Sequence, residues 1–394
     1  MPINDQHIDA IHEAVNRDRL LGTAIELIGI PSPTRSAGPV ADRLAEILAA
    51  EGFDVRREDA NWPEAPAVIA RLDSGQSGKT LQYDVHLDTV HLPFVPPEIQ
   101  DGVLTGSGAS DMKGGISAAV ESMRALRDSG LFQAGEILMT AHDHHEAPWG
   151  DCRQVHTLIE MGIVGDGVLL PEYMCDRIPV VGRGVAVIDI AVRRDGEPVH
   201  EVLRPEGQPH VIAAACQLIR RLEQLNTDLA TTVDPMAGSG SVFVGQIHSG
   251  EIYNQSPTEC RIQGTRRWLP EEAPEAVVEQ YTALLAEVAE ATGTTIESQL
   301  DTRLNAFRMD ENNPLVTAFQ SAYESMTGKT LPFGPKPFVD DGNGYVARGG
   351  VPAITHGPHA TGAHTVDERV RIDELVRVAN TYALTALNFC RKDS

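Results

Sequence analysis

Two short segments hold residues whose types and spacing suit a metal ion. His86 and Asp88 follow an apolar run that begins at Leu81, and positions i and i+2 of a strand face the same way. If His86 binds an ion through one ring nitrogen, the other nitrogen needs a partner, and a carboxylate is a common one. Asp88 therefore either orients His86 or lies beside the water that the ion would activate.

The second segment, residues 106–115, reads Gly-Ser-Gly-Ala-Ser-Asp-Met-Lys-Gly-Gly. Its glycines permit a tight turn, and a helix starting near Gly114 would direct its amide dipoles back at that turn. Asp111 in such a turn can bridge two cations, because a carboxylate has two oxygens with separate lone pairs. Lys113 lacks the spacing and the following Ser or Thr of a phosphate-binding loop, so nucleotide binding is not favoured.

The composition argues against several other classes of protein. Fifty-six acidic against 32 basic side chains give a formal charge of −24, and a surface that acidic repels nucleic acid and anionic lipid. The five cysteines are scattered and form no CxxC pair, which predicts reduced, buried thiols. The N-terminus shows no signal-peptide pattern and no stretch has membrane-spanning length. We therefore expect a soluble, cytoplasmic protein with no nucleic-acid or membrane partner.

The elements that must position these residues follow an alternating pattern. Short β-rich runs alternate with helical periodicity, which predicts an α/β fold with a mostly parallel sheet; the runs are 67–72, 81–86, 136–140 and 167–170, and the helical stretches are 8–28, 39–51, 114–127 and 152–161. Residues 184–300 instead follow a β-α-β-β-α-β order, which is ferredoxin-like. We expect a metal-binding catalytic domain from 1–183 plus 301–394, with 184–300 inserted as a lid domain.

With these motifs in place, the chain resembles the family of co-catalytic zinc hydrolases that contains aminoacylase, glutamate carboxypeptidase, acetylornithine deacetylase and succinyl-diaminopimelate desuccinylase. An HxD motif at His86 and Asp88, followed by a GxGxxDxKGG pattern around Asp111, carries the resemblance. It implies that His86 binds one metal ion, that Asp88 lies beside the active centre, and that Asp111 bridges two ions. It also implies that the inserted domain dimerises, so a homo-oligomer is expected.

The resemblance extends to motifs further along the chain. Glu172 follows an apolar strand and is implied to bind the first ion, while His364, in an Ala-His-Thr-Val-Asp-Glu run, is implied to bind the second. In the inserted domain, His200 is implied to reach the oxyanion that develops during the reaction. Asn254 and Arg267 are implied to grip a substrate carboxylate, for which the bidentate fork of arginine is well suited.

One motif departs from the family pattern. The family has Asp-Glu-Glu where this chain has His144, His145 and Glu146. Glu146 then matches the glutamate that binds the second ion, which leaves His145 at the position of the general base. Either His145 acts as the base, or the additional histidines, including His142, re-form the metal site, or the chemistry needs no such proton shuttle. The histidines favour zinc, manganese or cobalt over magnesium, with one or two ions per subunit.

These features predict a metal-dependent hydrolase that cleaves a C–N bond in a small substrate bearing a carboxylate. His145 or Glu146 would move the proton, and His200 would stabilise the developing charge. The substrate is either an N-acyl amino acid or peptide, or an aromatic amine, because the fold also resembles that of an aminohydrolase acting on 5-nitroanthranilate. The alternative from another class is a non-catalytic binding or dimerisation module, which the missing base residue supports.

Overall fold

A computed structural model of the chain describes residues 4–391. The helices are α1 (Asp5–Ala14), α2 (Arg17–Ile28), α3 (Gly38–Ala50), α4 (Lys113–Ser129), α5 (Arg153–Glu160), α6 (Val211–Leu229), α7 (Pro274–Thr292), α8 (Pro314–Thr327), α9 (Asp341–Ala347) and α10 (Ile372–Phe389). The strands are β1 (Asp54–Glu58), β2 (Ala67–Asp73), β3 (Thr80–His86), β4 (Glu98–Gln100), β5 (Val103–Thr105), β6 (Glu136–His142), β7 (Gly167–Leu170), β8 (Ile178–Gly182), β9 (Gly184–Arg193), β10 (Val199–His200), β11 (Ser241–Ser249), β12 (Gln255–Ser256), β13 (Glu259–Trp268), β14 (Thr295–Leu304), β15 (Phe307–Arg308), β16 (Phe333–Lys336), β17 (Ala353–Thr355), β18 (Ala360–Thr361) and β19 (Arg369–Arg371).

The chain divides into two compact units. The second unit comprises Val181–Arg308 and Pro335–Val339, and the first comprises the described residues on either side. The sequence places the inserted domain at 184–300, so the observed unit is wider at both ends and includes a short segment from later in the chain. The role of this second unit as a lid or dimerisation domain stays a prediction.

The first unit is built on a six-stranded sheet with the order β1-β2-β6-β3-β7-β17. The four strands from β6 to β17 run parallel, whereas β1 and β2 are antiparallel additions at one edge. The residues of β3, β6 and β7 are buried almost throughout, as expected for parallel strands covered on both faces. Helix α4, which packs against α2 and α10, is itself buried over most of its length. The predicted α/β class is confirmed.

This sheet brings the metal-binding residue types to one edge. His86 and His142 are the last residues of the parallel strands β3 and β6 and are paired in register. The neighbouring strand β7 ends at Leu170, two residues before Glu172. Carboxyl ends of parallel strands lie at the same edge, which is where ligands bind in open α/β sheets.

The first helical segment differs from its prediction. The periodicity over 8–28 predicts one helix, which is wrong, because α1 ends at Ala14 and α2 begins at Arg17. Asn16 separates them in an extended conformation, and its side chain accepts hydrogen bonds from the backbone N–H groups of Asp18 and Arg19, both at 3.0 Å. Asparagine is among the residues that best satisfy the free amides at a helix start. The apolar periodicity therefore continues through Asn16, although the helical backbone is interrupted there.

The second unit contains a four-stranded antiparallel sheet with the order β11-β13-β9-β14. Together with α6 and α7, these strands follow the chain order β-α-β-β-α-β, which is the ferredoxin-like arrangement. Its core lies between the sheet and the two helices and includes the buried side chains of Ile190, Leu218, Ile262 and Leu285. A separate pair of short strands, β10 and β12, also belongs to this unit.

Two further expectations concern the cysteines and the membrane. All five cysteines are free, but they are not all buried, because Cys216 on α6 is exposed and Cys175 is intermediate. Among residues 4–391, no helix combines the length and the apolar character that crossing a membrane requires.

A buried ion-pair network ties α2 to α4, and it yields a stability prediction. The fully buried carboxylate of Glu121 accepts hydrogen bonds from Arg19 (2.7 Å), from Arg124 (3.4 Å) and from the backbone N–H of Asn16 (2.8 Å). We expect Glu121→Ala to lower the free energy of unfolding by about 3 kcal/mol, because it removes the buried acceptor that Arg19, Arg124 and the backbone of Asn16 share. Urea denaturation followed by circular dichroism measures this change.

An exposed ion pair provides the control for this prediction. Glu46 pairs with Arg43 on the surface, at 2.7 Å. Exposed pairs contribute little, so Glu46→Ala should leave the denaturation midpoint almost unchanged. Equal effects of the two variants would show that burial of the Glu121 network does not matter.

Candidate active site

The glycine-rich turn before α4 holds Asp111 in place. Gly106 has a φ of 131°, which side-chain-bearing residues rarely adopt, and a Cβ on Gly115 would lie 2.1 Å from the carbonyl oxygen of Pro171. These two glycines therefore permit the turn and the close approach of α4 to the segment before Glu172. The peptide bond between Asp111 and Met112 is cis.

A distant carboxylate organises the same turn. Glu368 accepts hydrogen bonds from the backbone N–H groups of Gly108, Ser110 and Asp111, each at 3.0 Å. Burial raises the pKa of Glu368 to about 7, although these three N–H groups favour its charged form. The sequence motif around His364 contained Glu368 but assigned it no role; its position shows that it fixes the backbone on which Asp111 stands.

Two carboxylates of the first unit converge on the Nε2 atom of His86. This nitrogen lies 3.1 Å from Asp111 Oδ1 and 3.5 Å from Glu172 Oε1, and all three side chains are buried. The other ring nitrogen, Nδ1, lies 3.0 Å from the carbonyl oxygen of Asp88 and can donate its hydrogen to it. A proton at Nδ1 leaves the lone pair of Nε2 directed at the two carboxylates, as a metal ligand requires.

A second group shares Asp111 with the first. The Nε2 atom of His364 lies 3.4 Å from Asp111 Oδ2 and 3.1 Å from Glu146 Oε2. The two oxygens of Asp111 therefore face two different histidines. Five of the residues expected to bind metal thus meet in the first unit: His86, Asp111, Glu146, Glu172 and His364.

The charges in this cluster fit divalent cations. Burial and repulsion by Asp111 raise the pKa of Glu172 to about 7. A positive charge between the two carboxylates would therefore stabilise their ionised forms. Hydrogen bonding to Asp111 and Glu146 raises the pKa of His364 to about 10. A proton and a metal ion compete for the same histidine lone pair, so this basicity marks positions that an ion can take.

The distances fit as well. Ligand atoms around a tetrahedral zinc ion with bonds of about 2.0–2.1 Å lie about 3.4 Å apart. The separations of 3.1–3.5 Å between the histidine nitrogens and the carboxylate oxygens match this spacing. They exceed the 2.7–2.9 Å that is typical of charge-assisted hydrogen bonds.

Asp88 contacts the backbone of the loop that carries the departure from the family motif. Its carboxylate accepts hydrogen bonds from the backbone N–H groups of His145 (3.1 Å) and Glu146 (2.9 Å). Its Oδ1 atom also lies 3.7 Å from Nδ1 of His86. In the described residues Asp88 therefore joins the end of β3 to the loop after β6. A catalytic role for Asp88 stays a prediction.

His145 lies beside this cluster, and one of its ring nitrogens lies within 4.8 Å of ligand atoms of His86 and Glu172. Its ring stacks on that of His86, with centroids 4.0 Å apart and planes within 4° of each other. The nitrogen lone pairs of imidazole lie in the ring plane, so the lone pairs of these two stacked, nearly parallel rings do not converge on one point. Its Nε2 atom is 3.8 Å from Glu172 Oε1, and its Nδ1 atom is 2.7 Å from Asp341 Oδ2.

The remaining histidines of the loop differ from one another. His142 is buried at the end of β6, with its Nε2 atom 3.4 Å from Asp84 Oδ2 and 3.6 Å from Asp341 Oδ2. His144 packs edge-on against Trp62 and lies 3.2 Å from Asp151, so it faces away from the cluster around His86. Sequence reasoning missed Asp84 and Asp341. Asp84 lies two positions before His86 on β3, so the alternation of side chains along a strand would have placed it on the same face as His86.

The three remaining predicted residues belong to the second unit. His200 and Asn254 meet at the pair β10 and β12, where Asn254 Nδ2 lies 3.1 Å from His200 Nε2. Arg267 lies on β13 in the four-stranded sheet. Burial and the nearby Arg183 lower the pKa of Arg267. The structure thus brings His200 and Asn254 together and places Arg267 on a different sheet.

Comparison with known proteins gives this arrangement a family. The sequence description of peptidase family M20/M25/M40 matches residues 83–388, which include His86, Asp111 and His364. The chain belongs to this family. It is therefore a metal-dependent hydrolase, and the predicted family and enzyme class are confirmed.

Several known proteins match along almost the whole chain. The N-formyl-4-amino-5-aminomethyl-2-methylpyrimidine deformylase of Halalkalibacterium halodurans is 23% identical, covering 96% of each chain. The crystal structure of aminopeptidase PepT from Bacillus cereus superposes with a TM-score of 0.79 at 20% identity, covering 95% of this chain and 99% of the other. A dinuclear metal-binding M20 peptidase of Bacillus subtilis has a TM-score of 0.67 at 16% identity, covering 96% and 98%. The structural likenesses establish the fold.

Removal of the shared carboxylate tests the metal cluster. We expect Asp111→Asn to lose metal ions, because the amide has one neutral acceptor oxygen where the carboxylate offers two charged ones. Metal content after dialysis against zinc, measured by inductively coupled plasma mass spectrometry, should fall by at least one ion per chain. Zinc should also raise the melting temperature of the wild type more than that of the variant.

Asp101→Asn is the matched control. Asp101 is exposed in a turn with a φ of 51°, a conformation that asparagine also adopts readily. This variant should bind as much zinc as the wild type. If Asp111→Asn also kept its full metal content, Asp111 would not be a ligand.

Proposed function

We propose that this chain is a two-metal amidohydrolase that hydrolyses the C–N bond of a small N-acyl compound or peptide carrying a carboxylate. One observation carries the proposal. The two oxygens of Asp111 face two histidines, His86 and His364, and the ring of His145 lies beside them. In this proposal His86, Asp111 and Glu172 hold one ion, and Asp111, Glu146 and His364 hold the other. The imidazole content of the set favours zinc, manganese or cobalt.

The bound ions would polarise a carbonyl group and lower the pKa of water. The residues of the chain must then move a proton from that water to the leaving nitrogen. His145 is suited to this step for two reasons. Its Nε2 atom lies on the side of Glu172, and 14% of its side-chain surface is exposed, so substrate can reach it. A proton transfer by a positioned side chain contributes typically 10²–10⁴-fold to the rate.

Glu146 is less suited to the same step. Its carboxylate faces His364 at 3.1 Å, which favours a role as a ligand. The stacking of His145 on His86 likewise argues against the alternative in which His145 re-forms the metal site, since parallel rings cannot direct both lone pairs at one ion. Of the alternatives that the sequence leaves open, His145 as the base is the one that these contacts support.

The substrate carboxylate would be gripped by residues of the second unit. Arg267 is partly buried. Burial and the nearby Arg183 lower its pKa, so a bound anionic group would stabilise its charged form. In the same proposal Asn254 contributes a hydrogen bond, and His200, which it contacts at 3.1 Å, stabilises the oxyanion of the reaction.

A substrate panel tests the reaction class. Protein stripped of metal and reloaded with Zn²⁺, Mn²⁺ or Co²⁺ should hydrolyse N-formyl or N-acetyl amino acids or dipeptides, with release of the amine detected by mass spectrometry. The same protein without metal should be inactive. An amide is favoured because the relatives that match include a deformylase and an aminopeptidase.

The panel also includes 5-nitroanthranilate as the aromatic amine. Release of ammonia from this compound, with no amide hydrolysed, would replace the proposal by an aminohydrolase. A protein that binds two ions and yet turns over neither class would instead support a binding module.

Replacement of the proposed base gives a second test. We expect His145→Ala to keep its metal content and its KM while kcat falls by roughly 10²–10⁴-fold, because the ring moves protons without holding an ion. Steady-state kinetics on the best amide substrate, together with metal analysis, measure both quantities. His12→Ala, an exposed histidine on α1, is the control and should retain full activity. Loss of metal from His145→Ala would make His145 a ligand.

A further inference from the structure

The geometry points to Asp341 as the residue that positions His145 for proton transfer. This inference rests on the proposed role of His145 as the base. Asp341 is a buried residue at the start of α9, and it is 196 positions away from His145 in the sequence. No motif that the sequence analysis identified includes it.

The contact fixes which nitrogen of His145 carries the hydrogen. The distance from His145 Nδ1 to Asp341 Oδ2 is 2.7 Å, which is the length of a charge-assisted hydrogen bond. A carboxylate can only accept here, so the N–H is at Nδ1 and the lone pair of a neutral ring is at Nε2. Nε2 is the atom on the side of Glu172, where a proton must be taken up.

The backbone that carries Asp341 is anchored by the residue before it. The preceding residue, Asp340, caps α9 by accepting a hydrogen bond from the backbone N–H of Gly342 at 2.8 Å. The other oxygen of Asp340 accepts a hydrogen bond from the hydroxyl of Thr355, at the end of β17, at 2.6 Å. The start of α9 is thereby anchored to the edge of the sheet at which His86 and His142 also lie.

Behind Asp341 lies a closed polar cluster without access to solvent. His142 Nε2 is 3.6 Å from Asp341 Oδ2 and 3.4 Å from Asp84 Oδ2. Asp84 Oδ1 accepts hydrogen bonds from the hydroxyls of Tyr345 (2.8 Å) and Thr140 (2.6 Å). All of these side chains are buried, so His145 is the one member of the group that is open to substrate.

The family motif explains why such a residue is needed. A glutamate base has two equivalent oxygens and works whichever way its carboxylate is turned. An imidazole has two inequivalent nitrogens, and the ring accepts a proton at Nε2 only in the tautomer with hydrogen at Nδ1. Replacing the glutamate by His145 therefore requires an acceptor behind the ring, and Asp341 supplies it.

A double-mutant cycle distinguishes positioning from a general structural role. Asp341→Asn should lower kcat by 10- to 100-fold with KM and metal content unchanged, the size of effect seen when a partner of a functional histidine is lost. In a His145→Ala background the same substitution should change kcat by less than threefold, because the ring it would orient is absent. A residue that merely supports the fold would reduce kcat by a similar factor in both backgrounds, and that result would overturn the inference.

A measurement that needs no substrate completes the test. Nitrogen-15 NMR of histidine-labelled, zinc-loaded protein should show His145, assigned by its absence in His145→Ala, with a protonated Nδ1 and an unprotonated Nε2. Asp341→Asn should shift this signal towards the other tautomer. An unchanged signal would contradict the inference. If the wild type hydrolyses no amide, the proposed function fails, while the NMR result still decides whether Asp341 sets the tautomer.

Discussion

Burial of the Asp111 carboxylate between two histidines is the constraint that the rest of the first unit satisfies. A charged group without solvent costs several kcal/mol unless opposite charge or hydrogen bonds compensate for it. Glu146 and Glu172 are buried beside it, which makes the local excess of negative charge larger. The parallel strands bring these side chains together at their carboxyl ends, where a bound cation would supply the compensating positive charge.

With His145 at the position that the family resemblance assigns to a glutamate base, the electrostatics of the proposed centre would change together with its proton chemistry. A glutamate next to two cations contributes a negative charge, whereas a neutral imidazole contributes none. Asp341 restores a negative charge on the far side of the ring, 2.7 Å from Nδ1. The pair His145 and Asp341 therefore carries the same total charge as the carboxylate that it replaces. An imidazolium formed next to the ions would be stabilised by Asp341 on one side and by Glu172 on the other.

The sequence predicts those parts of the structure that depend on local pattern. Apolar runs predicted the strands β3, β6 and β7, and the HxD and glycine-rich motifs predicted His86 at the end of a strand and Asp111 in a turn before a helix. The division between α1 and α2 was missed because a single asparagine interrupts the backbone without interrupting the apolar periodicity. Asp341 could not be found in this way, since its partner is 196 residues away and the contact arises from the order of strands in the sheet.

Glu368 has a consequence that extends beyond the turn it holds. It lies four residues after His364, so one short segment near the end of the first unit both completes the second ligand group and fixes the loop that bears the shared carboxylate. Displacement of this segment would therefore disturb both the contacts of His364 and the loop that carries Asp111. The two candidate ligand groups are thereby coupled through one short stretch of backbone, residues 364–368.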